Sequence, residues 1–151
     1  MDESMKTFTL DEAQVLVPVL ESLLKQAIEG KRAAESIEGR LQELSRKIFL
    51  NGGVMVDVVL VRRQRASFES HVQAVKDALS EIDAIGVQVK DIETGLLDFP
   101  CEVDGETVLL CWKMGESRIE FWHTMEAGFR GRQPLDERFY GKKIKEPERP
   151  N

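Results

Sequence analysis

The chain has 151 residues, the length of one domain at roughly 100–200 residues each, and a chain of this size buries a core without disulfide staples. Hydrophobic residues at 42% and charged residues at 32% exclude a disordered or collagen-like bulk. Lys+Arg at 21 against Asp+Glu at 27 leave a net charge of -6, so nucleic acid is not an expected partner, because neutralising phosphates takes a basic footprint.

The first expected element is a helix over about residues 9–50. Thr9 with Glu12 three residues on is a capping box, and Asp11 adds negative charge at the positive end of the helix dipole. Pro18 removes one backbone donor and should kink the helix. Ala13, Leu20, Ala27, Ala34, Leu41 and Ile48 repeat every seven residues, with Leu16, Leu23, Gly30, Ile37 and Leu44 interleaved. That is a coiled-coil seam whose middle, Ala27, Gly30 and Ala34, admits a closely approaching partner. Asn51-Gly52-Gly53 breaks the pattern.

A second helix is expected over about residues 54–86, with Gly86 ending it in the left-handed conformation. Val54, Val58, Val61, Arg65, Phe68, Val72, Val75, Leu79 and Ile82 continue the alternation. Arg65 falls in the seam, where its stem can lie on apolar surface with its head in water. A link this short forces the two helices antiparallel.

From residue 87 the apolar period becomes two, and a sheet is expected over about residues 87–126: Val87–Lys90, Gly95–Val103, Glu106–Met114 and Arg118–Met125. Asp104-Gly105 is a type I′ hairpin signal that sets Leu97 opposite Trp112, Asp98 opposite Cys111 and Phe99 opposite Leu110. Gly115-Glu116, read as a type II′ turn, would set Cys111 opposite Glu120 and Leu110 opposite Phe121. That register gathers Leu97, Phe99, Leu110, Trp112, Phe121 and His123 on a covered face. It leaves Asp98, Leu109, Cys111, Glu120 and Trp122 on a mixed, solvated one, and puts Cys101 and Cys111 on opposite faces. The fold class is α+β: a long antiparallel, coiled-coil-like α-hairpin followed by a three- to four-stranded antiparallel β-meander, one domain over 1–132. Residues 133–151 read as a polar, flexible C-terminal arm in which Phe139-Tyr140 can dock on a neighbour.

The stretches Val89-Lys90-Asp91, Gly95-Leu96-Leu97-Asp98-Phe99-Pro100, Leu110-Cys111-Trp112, Gly115-Glu116, Trp122-His123 and Gly128-Phe129-Arg130-Gly131-Arg132 together resemble a prokaryotic family, domain of unknown function 2203. Phe8-Thr9-Leu10-Asp11-Glu12-Ala13 resembles the family's opening. The resemblance implies no activity, since none is assigned to the family.

Three constellations bear on chemistry. In Gly128-Phe129-Arg130-Gly131-Arg132, the glycines Gly128 and Gly131 permit a tight turn, and Arg130 and Arg132 could grip a small anion near His123. The plain alternative is a loop whose arginines pair with nearby carboxylates. His123 with Glu116, Glu126 or Asp98 could ligate a divalent metal, or His123 could be a polar group satisfied locally. The row Asp98, Cys111, Glu120 could bind a metal or could be a solvated face. Cys111 as a nucleophile with His123 as its base is not expected, because the register separates them onto two faces. There is no Walker loop and no nucleophile elbow.

No run of roughly 18 apolar residues exists and no leader is recognisable, so neither a membrane span nor a membrane partner is expected. Two cysteines suggest a reduced, cytoplasmic setting. Outward Val19, Leu24 and Val59 leave apolar surface that predicts a homo-oligomer, most simply a dimer. The expected function is a non-enzymatic oligomeric interaction or scaffold protein requiring no cofactor. A small-anion-binding protein or enzyme, and a divalent-metal-binding protein, are the alternatives.

Overall fold

The structure, a computed structural model, describes residues 6–52 and 57–140. The chain divides into two compact units, one of Met1–Ser22 with Ile82–Asn151 and one of Leu23–Glu81.

The helices are α1, Leu10–Leu50, and α2, Val58–Ile85. The capping box forms in full: Thr9 N–H donates to Glu12 Oε1 at 2.9 Å and Glu12 N–H to Thr9 Oγ1 at 3.1 Å. Pro18 lies inside α1 and the helix continues past it. Helix α2 is described from Val58; residues 54–56 of the expected helix lie outside the described residues. Asp57 caps it, its carboxylate accepting from Leu60 N–H at 3.1 Å. Gly86 has φ +104°, the left-handed exit expected of it.

Within Leu23–Glu81 the two helices pack antiparallel. Gly30 sits against Val75 and the His71 carbonyl, while Glu38, Leu41 and Ser45 share a groove with Arg65, Phe68 and Glu69. Arg65 is exposed at the edge of that groove, as the seam reading requires. One expectation fails here: Leu24 is fully buried, not outward, whereas Val19 and Val59 are exposed.

The sheet has five antiparallel strands in chain order: β1 Gln88–Asp91, β2 Leu96–Val103, β3 Glu106–Lys113, β4 Phe121–Thr124 and β5 Gln133–Pro134. Asp104 and Gly105 both have positive φ, 52° and 79°, as a type I′ turn demands. The β2–β3 register follows from that turn, with Asp98 opposite Cys111 and Leu97 opposite Trp112.

The β3–β4 register differs from expectation by one residue. Glu116 N–H bonds the Lys113 carbonyl at 3.0 Å, so the turn centres on Met114-Gly115, and Gly115 uses its positive φ at the third turn position rather than the second. A loop follows in which Ile119 N–H donates to Gln14 Oε1 at 2.9 Å, and β4 starts only at Phe121. Cys111 therefore faces Phe121, not Glu120, and Leu110 faces Trp122, not Phe121. A one-residue slip turns every side chain of a strand over. Trp122 joins the face of Leu97, Phe99, Leu110 and Trp112, and His123 moves to the face of Asp98 and Cys111.

Both faces are buried. Phe8 packs edge-on against Phe99, ring centroids 5.9 Å apart, on the expected core side. Asp98, Leu109, Cys111 and His123, on the face expected to meet water, are 0–2% exposed. Of the expected C-terminal arm, residues 133–140 are described, and they pack on the sheet. Strand β5 pairs with β4, a short 3-10 turn covers Glu137–Phe139, and Phe139 packs on Trp122 at 5.6 Å. The partner Phe139 finds is this chain's own sheet.

Candidate metal centre

Three adjacent strands bring one ligand-bearing side chain each to a single buried spot: Asp98 from β2, Cys111 from β3 and His123 from β4. One ligand atom of each lies within 4.8 Å of the other two, and all three residues are buried. Asp98 and Cys111 are direct cross-strand partners, and His123 lies two residues along from Phe121, the partner of Cys111 on the other side. Burying three polar groups on a sheet face is unfavourable by several kcal/mol unless they satisfy one another.

His123 Nδ1 lies 2.8 Å from the Thr124 carbonyl oxygen. A carbonyl only accepts, so Nδ1 carries the proton. In the neutral ring Nε2 then bears a lone pair, and it lies 3.2 Å from Asp98 Oδ1. Two electron-rich atoms at that distance need a positive centre shared between them, either a proton or a metal ion. A histidine held by a backbone carbonyl through one nitrogen, with the other facing a second potential ligand, is the arrangement of metal-ligating histidines.

Cys111 completes the set. Burial pushes its thiol up to about 11, and the Asp98 carboxylate pushes the same way against the opposing charge of Arg132. Without a cation the sulfur stays protonated at neutral pH. With no exposed surface, such a thiol is a poor nucleophile, although the observed register does place it beside His123. A bound metal reverses the preference, since a coordinating thiol is deprotonated outright.

Arg132 closes one side of the cluster. Its guanidinium stacks over the rings of Phe121 and Phe129 at 4.3 and 4.7 Å. Its Nη2 donates to the Cys111 carbonyl at 3.3 Å and to Glu116 Oε1 at 2.9 Å. Glu116 Oε1 also accepts from Lys113 N–H at 2.8 Å, so one carboxylate ties the turn to the arginine.

The residues singled out in the sequence thus separate. His123 and Asp98 meet. Glu116 meets Arg132 instead of His123, Glu126 is exposed and outside the cluster, and Glu120 is exposed and pairs with Arg118 at 3.2 Å. Arg130 is exposed while Arg132 is drawn inward, so the two do not form one grip. Gly128 and Gly131 frame the short 3-10 turn over Phe129–Gly131, with Gly128 at φ 69°. Cys111 beside His123 was not expected, because the expected register put them on opposite faces, and the observed one puts them on the same face. Phe121 and Trp122 are both apolar, so alternation in β4 does not say which of them faces in; only the β3–β4 turn decides it.

The fold and site define an α+β protein in which a helical hairpin precedes an antiparallel sheet that buries an Asp–Cys–His cluster. The chain belongs to the family described as "Uncharacterized conserved protein (DUF2203)", which matches residues 6–135. Comparison with curated proteins and with solved structures finds no match.

Proposed function

We propose that this chain is a metal-binding protein whose Asp98, Cys111 and His123 take one divalent ion of the zinc class. The observation that carries the reading is the facing pair, His123 Nε2 and Asp98 Oδ1 at 3.2 Å, with a buried sulfur beside it. Mixed sulfur, nitrogen and oxygen donors suit zinc better than calcium or magnesium, which take oxygen ligands. Three protein ligands leave a fourth position for water or another group. Ligand atoms around tetrahedral zinc stand about 3.3–3.8 Å apart, so the set, now within 4.8 Å, closes by about 1 Å on binding.

The test is elemental analysis of protein purified without chelators, followed by cobalt(II) loading of metal-stripped protein. The expected result is about one zinc per chain and a cobalt–thiolate charge-transfer band. The isosteric Asp98→Asn and Cys111→Ser should lower occupancy at least tenfold, with Cys111→Ser also removing the band. Folded, metal-free protein that stays colourless with cobalt would defeat the reading.

A second reading, an oligomeric interaction protein, is favoured by Val15 and Val19, which stand 75% and 53% exposed on α1. Its test is light scattering, with a homodimer expected and Val15→Asp expected to dissociate it. The small-anion reading loses support, because Glu116 already matches the Arg132 guanidinium.

A further inference from the structure

We infer that the end of the helical hairpin, where α1 stops and α2 starts, docks on an anionic lipid bilayer surface. Phe49 and Leu50 close α1 at 83% and 61% exposed; Val58, Val59 and Leu60 open α2 at 60%, 60% and 51%. Consecutive helical residues point about 100° apart, so three exposed aliphatic side chains in a row cover more than half the circumference of α2. A folded partner covers one face of a helix. Apolar groups displayed over so wide an arc match a medium that surrounds the helix tip rather than one flat partner face.

The charges behind these side chains say which medium. From Glu43 to Phe68 the cations are Arg46, Lys47, Arg62, Arg63 and Arg65, against Glu43 and Asp57. The segment is net +3 in a chain of net -6, so the remainder carries -9. All five cations are exposed. Arg46 leans on Glu43 at 3.5 Å, and the Asp57 carboxylate is engaged at the N-terminus of α2.

At 1.5 Å per residue, Arg63 and Arg65 lie about 8–10 Å along α2 from Val58. Interfacial segments bury their apolar side chains about 5–10 Å deep, with basic residues at the headgroup level. Aliphatic tips followed at that depth by arginines fit a bilayer bearing anionic headgroups. Nucleic acid would use the cations and leave Phe49, Val59 and Leu60 in water. No helix among the described residues is long and apolar enough to cross a membrane. The expectation of no membrane partner rested on that criterion, which interfacial docking does not need to meet.

The test is co-sedimentation of the full chain with vesicles of phosphatidylcholine alone and of phosphatidylcholine with phosphatidylserine. Binding to the anionic vesicles is expected, falling with added salt. Phe49→Ser with Leu60→Ser should lower it about tenfold or more, as should Arg62→Glu with Arg63→Glu. Circular dichroism checks that these surface variants stay helical. Failure to bind anionic vesicles, equal binding to neutral ones, or binding that both double variants retain would overturn the inference. So would bare vesicles with an oligomer that Phe49→Ser dissolves, which would make this end a contact between copies, or binding to RNA alone.

Discussion

Arg132 shows how one side chain joins three separate stretches of this chain. Stacked between Phe121 and Phe129 and bonded to Glu116 and the Cys111 carbonyl, it links β3, β4 and the turn over Phe129–Gly131. Burial works against its charge, and the contacts with Glu116 and Cys111 outweigh it and raise its pKa. Arg132→Ala should cost about 2–4 kcal/mol in denaturant unfolding, through the lost partner of a half-buried carboxylate and two lost ring contacts. Arg132→Lys should restore little, because an ammonium cannot stack as a plane on the rings of Phe121 and Phe129. A lysine variant as stable as the wild type would show that charge alone matters there. On the opposite face, Cys101 makes a separate prediction. Burial, with Glu102 adding to it, raises its thiol from 9.0 to about 11. The folded state therefore holds this proton more tightly than the unfolded chain does. The stabilisation is complete below about pH 9 and is lost as pH rises through about 11, to a limit of about 3 kcal/mol. Unfolding curves taken across that window should fall less steeply in Cys101→Ala than in the wild type.

The seam of the hairpin carries its prediction at Gly30. A Cβ there would lie 2.8 Å from Val75 Cγ2 and 3.2 Å from the His71 carbonyl oxygen. Gly30→Ala gains up to about 1 kcal/mol in helix propensity and loses about 1–3 kcal/mol to overpacking, so net destabilisation is expected. Thermal melts of Gly30→Ala and of Gly30→Ala with Val75→Ala distinguish the two terms, the double variant recovering stability if the clash is the cause. That close approach was readable from the sequence, because small residues at Ala27, Gly30 and Ala34 interrupt a larger-residue repeat. The capping box at Thr9 and the β2–β3 register were readable for the same kind of reason: each is fixed by side chains or turn residues within four positions. The β3–β4 register was not. Gly115 satisfies either of two turns, and the loop to Phe121 is closed by Gln14, more than a hundred positions away in the chain. The candidate site depends on that register. Asp98 and Cys111 were placed together correctly, but the third member was taken to be Glu120, and alternation along a strand does not tell whether its second face is covered.

Burial is distributed unevenly along the chain, and stability should follow it. In the unit of Leu23–Glu81 the buried hydrophobic side chains are Leu23, Leu24, Ala27, Ala34, Ile37 and Ala78. None lies between Leu41 and Leu50 or between Val58 and Val75. In the sheet unit Leu97, Phe99, Leu110 and Trp112 have no exposed surface at all. Regions with few buried apolar contacts open at lower free energy than a packed core does. Backbone amides of Leu41–Leu50 and Val58–Phe68 should therefore exchange hydrogen well before those of β2 and β3, which should exchange only on global unfolding. The two optical probes sort the same way. Trp112 and Trp122 both belong to the sheet unit, whereas the far-ultraviolet signal comes mainly from helices of 41 and 28 residues. In urea the helical signal should begin to fall before tryptophan emission shifts. Coincident transitions with uniform exchange would instead make the chain one cooperative block. In the expected case the helix ends that bear Phe49 and Leu60 are also the segments that rearrange at least cost, and anionic vesicles, by binding them, should slow their exchange while leaving β2 and β3 unchanged.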